Sequence, residues 1–144
     1  MIKIEFPPYQ PNIKTEAGKE MIFDFIRKKW VVLTPEEWVR QNILQYLVQV
    51  KNYPASLIAV EKEIHLGELK KRVDILVYDR SQLPFMIIEC KEMNVPLNEK
   101  VLQQVLRYNQ SLQMKYILIS NGENSFGFKI TSAGPVEMSE LPDY

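Results

Sequence analysis

The sequence has no excess of charge: 18 Lys and Arg balance 18 Asp and Glu, for a formal net charge of zero. Tight, nonspecific binding to nucleic acid draws on clustered cations that neutralise phosphates, so any basic surface here is local. The candidates are residues 27–29 (Arg-Lys-Lys) and 70–72 (Lys-Lys-Arg). Cys90 is the single cysteine, which excludes an internal disulfide framework, and no Cys/His cluster has the spacing of a zinc site. The one histidine, His65, stands beside the turn glycine Gly67 and reads as a surface residue. A Ser-His-Asp or Cys-His site has no other histidine to use. The N-terminus lacks the charged, apolar, small-residue progression of a signal peptide, and no run of about 18 apolar residues is present to span a bilayer. These absences point to a cytoplasmic chain without a membrane partner. There is no repeat, low-complexity tract or linker, and 144 residues at 46% apolar content suit one domain, 1–144, with a real core.

What is present centres on residues 72–91, Arg-Val-Asp-Ile-Leu-Val-Tyr-Asp-Arg-Ser-Gln-Leu-Pro-Phe-Met-Ile-Ile-Glu-Cys-Lys. Two apolar, β-branched runs, 73–78 and 85–90, flank a polar turn containing Asp79, Ser81 and Pro84, which predicts a hairpin. Side chains alternate along a strand, so Glu89 and Lys91 share one face while Cys90 takes the other, and Asp74 comes alongside them. Three charges in the middle of an apolar sheet call for a compensating partner such as a divalent cation.

Residues 1–18, with Pro7, Pro8 and Pro11, read as an extended N-terminal arm packing where Ile4, Phe6 or Tyr9 find a groove. Residues 21–33 alternate like one or two strands, with a helix as the alternative. Thr34, Pro35, Glu36 and Glu37 spell a helix start and a capping box, for a helix running to about Val50. A first core strand is expected over 57–64 and a turn at 66–68. A loop at 94–98 leads into a helix over 99–112, then a strand over 116–120, a turn at Asn121-Gly122 and a short last strand over 126–131. The tail 140–144 reads as irregular. The order αβββαβ predicts a mixed α/β sheet with helices on both faces.

Asp74 followed by Glu89-Cys90-Lys91 resembles the D…ExK signature of the PD-(D/E)xK nuclease superfamily, with Val73 where that pattern has proline. The resemblance extends to one branch, stand-alone proteins similar to the N-terminal nuclease domain of type I restriction enzyme R subunits. It rests on residues 34–41 (Thr-Pro-Glu-Glu-Trp-Val-Arg-Gln), 72–75 (Arg-Val-Asp-Ile), 89–91, Gln104 with Tyr108-Asn109, and Asn121-Gly122. It implies a restriction-endonuclease-like core and Mg²⁺- or Mn²⁺-dependent hydrolysis of DNA. No GxxxxGK[ST] phosphate loop is present, so the motor activity of a complete R subunit has no residues here.

Within that resemblance, Asp74 and Glu89 are the expected metal ligands, hard carboxylates suited to Mg²⁺, against a reading in which they merely pair with Arg72 and Lys91. The backbone carbonyl of Cys90 is implied as a further ligand, while its thiol reads as core filling. Lys91 is expected to orient water and stabilise transition-state charge; the alternative is a lysine snorkelling at a strand end. Glu37 is a further candidate ligand that its capping role explains equally well. Glu61 and Glu63 share a strand face and read as solvent-facing. Gln104 and Tyr108, four apart on one helix face, resemble a QxxxY motif that helps position DNA; otherwise Tyr108 is half-buried core. The expected partner is DNA, with a homodimer or a larger restriction or repair complex beyond it. A catalytically silent binding or assembly module of such a complex is the alternative function.

Overall fold

The N-terminal third makes a sheet of its own. β1 (Ile13–Glu16), β2 (Lys19–Asp24) and β3 (Lys29–Val32) form an antiparallel meander in the computed structural model, which describes residues 1–144. The turn between β1 and β2 is Ala17-Gly18, both at positive φ (51° and 77°), the pattern of the tight turn whose twist suits a two-residue hairpin. The expected arm over 1–18 therefore ends early, because its last residues are a paired strand. The part before it is extended but anchored: Ile2 is buried and bridges Ser125, and Tyr9 stacks on Trp38 at 5.8 Å.

α1 (Pro35–Gln45) starts as the sequence predicts. Thr34 is the N-cap, and its hydroxyl accepts from the Glu37 amide at 3.0 Å. The reciprocal half of the capping box is absent, because the Glu37 carboxylate is engaged by arginines and Gln41. The helix runs on as a π turn over Tyr46–Val50, within the expected length.

The second sheet contains β4 (Ile58–Leu66), β5 (Leu69–Tyr78), β6 (Pro84–Cys90), β7 (Tyr116–Ser120), β8 (Ser125–Thr131) and β9 (Gly134–Met138), side by side in chain order. All neighbours are antiparallel except β6 and β7, which are parallel because α2 (Glu99–Asn109) crosses over between them. α1, β4, β5, β6, α2 and β7 follow in the expected order. β9 was not expected. Its Pro135 lacks a ladder donor and its Glu137 is unlike a core strand residue, both of which an edge position tolerates.

Alternation divides the core into two layers. Ile75, Val77, Met86, Ile88 and Cys90 face Val39, Ile43, Leu44 and Leu47 of the first helix and its π turn. Leu76, Ile87, Ile117 and Ile119 face Val105 and Leu106 of α2. Complete burial of one such side chain contributes about 1.5–3 kcal/mol, so both helices are held to the sheet by their apolar stripes.

The regular ladder fails at one place. β5 and β6 pair from Tyr78 to Ile75, opposite Pro84 to Ile88; beyond that Glu89 and Cys90 pair only with β7. There Glu61 of β4 has φ +51° and drops out of register with Asp74, and Val73 joins the α2 layer although Ile75 faces α1. Asp74 thus sits at a fork between two diverging strands.

Candidate functional site

At the fork a side chain replaces the missing ladder bond. Oδ2 of Asp74 accepts from the Cys90 amide at 2.7 Å, tying β5 to β6 where their backbones part. Glu89 projects to the α2 side of the sheet. Its Oε1 is buried without a hydrogen-bond partner, and its carboxyl is pushed up to about 8, first by burial and then by the negative charge of Asp74 beside it. The Lys91 ammonium opposes that shift without cancelling it. Lys91 follows the last residue of β6, and its amide is fixed to the Ser120 carbonyl at 2.8 Å.

Glu89 and Lys91 open into a cleft of about 350 Å³ against α2, lined also by Arg72, Val101, Gln104, Val105 and Tyr108. The fold therefore brings Glu89, Lys91, Gln104 and Tyr108 to one cleft, while Asp74 stands beside Glu89 at the fork and outside the cleft lining. The position of α2 is set locally. Asn98 caps it by accepting from the Val101 amide at 3.0 Å, and the Asn121 side chain donates to the Val95 carbonyl at 2.9 Å, holding the entering loop against the 121–124 turn. Tyr108 is 45% exposed, with the Lys71 ammonium 3.8 Å from its ring centroid, and its ring forms part of the cleft wall.

Behind Asp74 lies a chain of alternating charges that sequence reasoning missed. Oδ1 of Asp74 accepts from Arg40 at 3.2 Å; Arg40 also pairs with Glu37 at 2.8 Å; Glu37 pairs with Arg27 at 2.9 Å, and Arg27 with Asp24 at 2.6 Å. Gln41 donates to both Asp24 and Glu37, at 3.0 and 3.1 Å. Asp24 is wholly buried at the end of β2. Burial alone would raise its carboxyl, but hydrogen bonds from the Arg27 backbone and side chain and from Gln41 hold it below the usual carboxylate range. The available signal was the placement of Glu37, Arg40 and Gln41 at three- and four-residue spacing on the apolar side of α1, where isolated charges are not tolerated.

The two first-turn acids of α1, the candidate Glu37 and its neighbour Glu36, take different roles. Both Glu37 oxygens accept from Arg27, Arg40 and Gln41, which places this carboxylate in the charge chain. Glu36 is the acid nearer the fork: burial raises its carboxyl first, and the charges of Asp74 and Lys91 act on it as well. Glu61 is turned inward to Arg27, Arg40 and Arg72 at 3.4–3.5 Å, whereas Glu63 pairs with His65 at 2.8 Å on the surface. Arg72 thus pairs with Glu61 and not with Asp74. The Cys90 thiol is fully buried in the α1 layer, its pKa pushed up by burial.

No three Asp, Glu, His or Cys side chains come together closely enough to cage an ion. Asp74 and Glu89, the latter with an unpartnered buried oxygen, are hard oxygen donors of the kind Mg²⁺ accepts while keeping several of its waters. No helix is long and apolar enough to cross a membrane.

The family model of the type I restriction enzyme R protein N terminus matches residues 35–143. Among solved structures, the fragment of a protein assigned as an HsdR subunit of a type I restriction enzyme from Vibrio vulnificus YJ016 is similar, with a TM-score of 0.55 and 21% identity. The alignment covers 77% of this chain and 24% of that one, so the chain spans about a quarter of that structure's length. No curated protein matches the sequence.

Proposed function

This chain belongs to the family of type I restriction enzyme R protein N termini, and from that membership and the site's geometry we propose a divalent-metal-dependent hydrolase of DNA phosphodiester bonds on a restriction-endonuclease-like core. One observation carries the reading. Glu89 is half-buried, with one oxygen fully buried and unpartnered beside a second carboxylate, a costly arrangement that a bound cation would relieve.

Asp74 and Glu89, with the Cys90 backbone carbonyl, are the residues that would hold Mg²⁺ or Mn²⁺. The ion, when bound, supplies Lewis-acid activation of water and neutralises phosphate charge. Lys91 opens into the same cleft as Glu89, where its ammonium can stabilise the charge that builds on the scissile phosphate in the transition state. Gln104 and Tyr108 line the opposite wall and position the DNA backbone. The Cys90 amide and Arg40 fix the rotamer of Asp74 from behind, so the ligand is oriented before anything binds.

A second reading, a silent binding or assembly module of a restriction or repair complex, is favoured by Arg40. Its guanidinium already neutralises one oxygen of Asp74. Cleavage of labelled duplex, nicked, branched and single-stranded DNA with Mg²⁺ and Mn²⁺ separates the two. The hydrolase reading expects Lys91→Met to bind DNA nearly as well as the parent and to cleave it at least about 100-fold more slowly, the loss typical of one acid-base or electrostatic group. Equal rates would refute the role of Lys91, and a parent that cleaves nothing even in excess would leave the assembly module.

A further inference from the structure

Beyond the fork, β4 and β5 continue as a two-stranded ribbon with no third strand. Lys62 pairs with Val73, Glu63 with Arg72, Ile64 with Lys71, His65 with Lys70 and Leu66 with Leu69, closed by Gly67 at φ +61°. β6 joins β5 only from Ile75 onward. From Val73 to the tip at Leu69 the ribbon projects by about 14 Å, at roughly 3.4 Å per residue.

Its two faces differ. Lys71 lies over the Tyr108 ring and Ile64 packs toward the α2 layer, so alternation places Lys62, Leu66 and Leu69 on that same side. This face carries Lys62 and Lys71, four apolar residues (Val73, Ile64, Leu66 and Leu69) and no carboxylate, the nearest acid being Glu68 in the tip turn. The other face is mixed, with Glu63 paired to His65 and flanked by Arg72 and Lys70. Leu66 and Leu69 are 44% and 38% exposed at the tip, where nothing in the fold uses them.

We propose that this ribbon is an arm that enters the major groove of B-form duplex DNA, an inference that rests on the hydrolase reading. The major groove is about 12 Å wide and 8.5 Å deep, and it admits a two-stranded ribbon. The arm is long enough to reach the groove floor. Its lysines face phosphates, and its leucines meet the thymine methyl groups that only this groove presents. A free charge-balanced chain thereby gains a cationic surface at the one place where the backbone must lie, beside Glu89 and Lys91. The deep, narrow major groove of A-form RNA excludes such an arm.

Fluorescence anisotropy of the full chain in EDTA reads binding without hydrolysis, with labelled short duplex DNA, single-stranded DNA and duplex RNA as probes. The parent is expected to prefer duplex DNA over duplex RNA. Leu66→Ser with Leu69→Ser should weaken duplex DNA binding about 10-fold, from lost apolar contact. Lys62→Ala should lower the slope of log affinity against log salt by about 0.9, the loss of one phosphate contact. All three positions are exposed or at the rim, and thermal melting of each variant is checked alongside. Unchanged duplex affinity and salt slope in these variants would overturn the proposal, as would equal affinity for duplex RNA or a parent that binds no duplex DNA. Mn²⁺ binding at Asp74 and Glu89, measured by calorimetry without DNA, fails or holds independently, so loss of the hydrolase reading is distinguishable from loss of the arm.

Discussion

Removing the charge of Glu89 should abolish a pH dependence of folding that the site imposes on the metal-free protein. The folded carboxyl titrates at about 8 against an ordinary value of 4.5, because burial and the neighbouring Asp74 both disfavour its charged form. Between those values the folded chain holds a proton that the unfolded chain has released, so stability falls as pH rises. The contribution is complete below about pH 4.5, declines through the interval and is gone above about pH 8. Each pH unit is worth about 1.4 kcal/mol, so the interval removes about 5 kcal/mol, a large share of the 5–15 kcal/mol that typically holds a domain together. Glu89→Gln keeps the shape and stays neutral. Urea unfolding in EDTA at pH 5.5, 6.5 and 7.5 should show the parent losing about 1.4 kcal/mol per unit relative to this variant. Saturating Mn²⁺ should flatten the parent's profile, because a cation stabilises the carboxylate that burial opposes. Parallel profiles for parent and Glu89→Gln would refute the account of Glu89 as a strained acid awaiting a cation.

Other consequences follow from the same geometry. Arg40→Met should destabilise by about 3–5 kcal/mol in urea unfolding, because it strands Glu37 and Asp74 without their shared buried cation. Asp74→Ala should also lose stability, since it frees the Cys90 amide and leaves Arg40 short of one partner; Glu89→Ala should not, and both should abolish the calorimetric Mn²⁺ signal. Gln104 is exposed, so Gln104→Ala should change stability by less than about 0.5 kcal/mol while slowing DNA turnover; a large drop in melting temperature with unchanged turnover would make the residue structural.

Legibility differed between parts of the molecule for physical reasons. α1 was readable because a cap, a proline and first-turn acids are local signals, and the Thr34 hydroxyl bonds where they predict. The hairpin of β5 and β6 was readable because β-branched runs around a polar turn have one economical pairing. β1 and β9 were not, since both are short, exposed edge strands, and only their neighbours make them strands. Among the acids of α1, sequence reasoning singled out Glu37, while Glu36 faces the fork and Glu37 faces the arginines.

By itself the sequence determined the order of core elements, the alternation that sets Glu89 and Lys91 opposite Cys90, and the four-residue spacing of Gln104 and Tyr108. These follow from the periods of strand and helix, which are properties of the backbone alone. Only the tertiary structure decided that β5 and β6 part at Asp74, that α2 closes a cleft over Glu89, and that Asp24, Arg27, Glu37 and Arg40 join hands behind the site. Those depend on which charges are buried together, and Arg27 meets Glu37, and Arg40 meets Asp74, only when two sheets and a helix pack against one another.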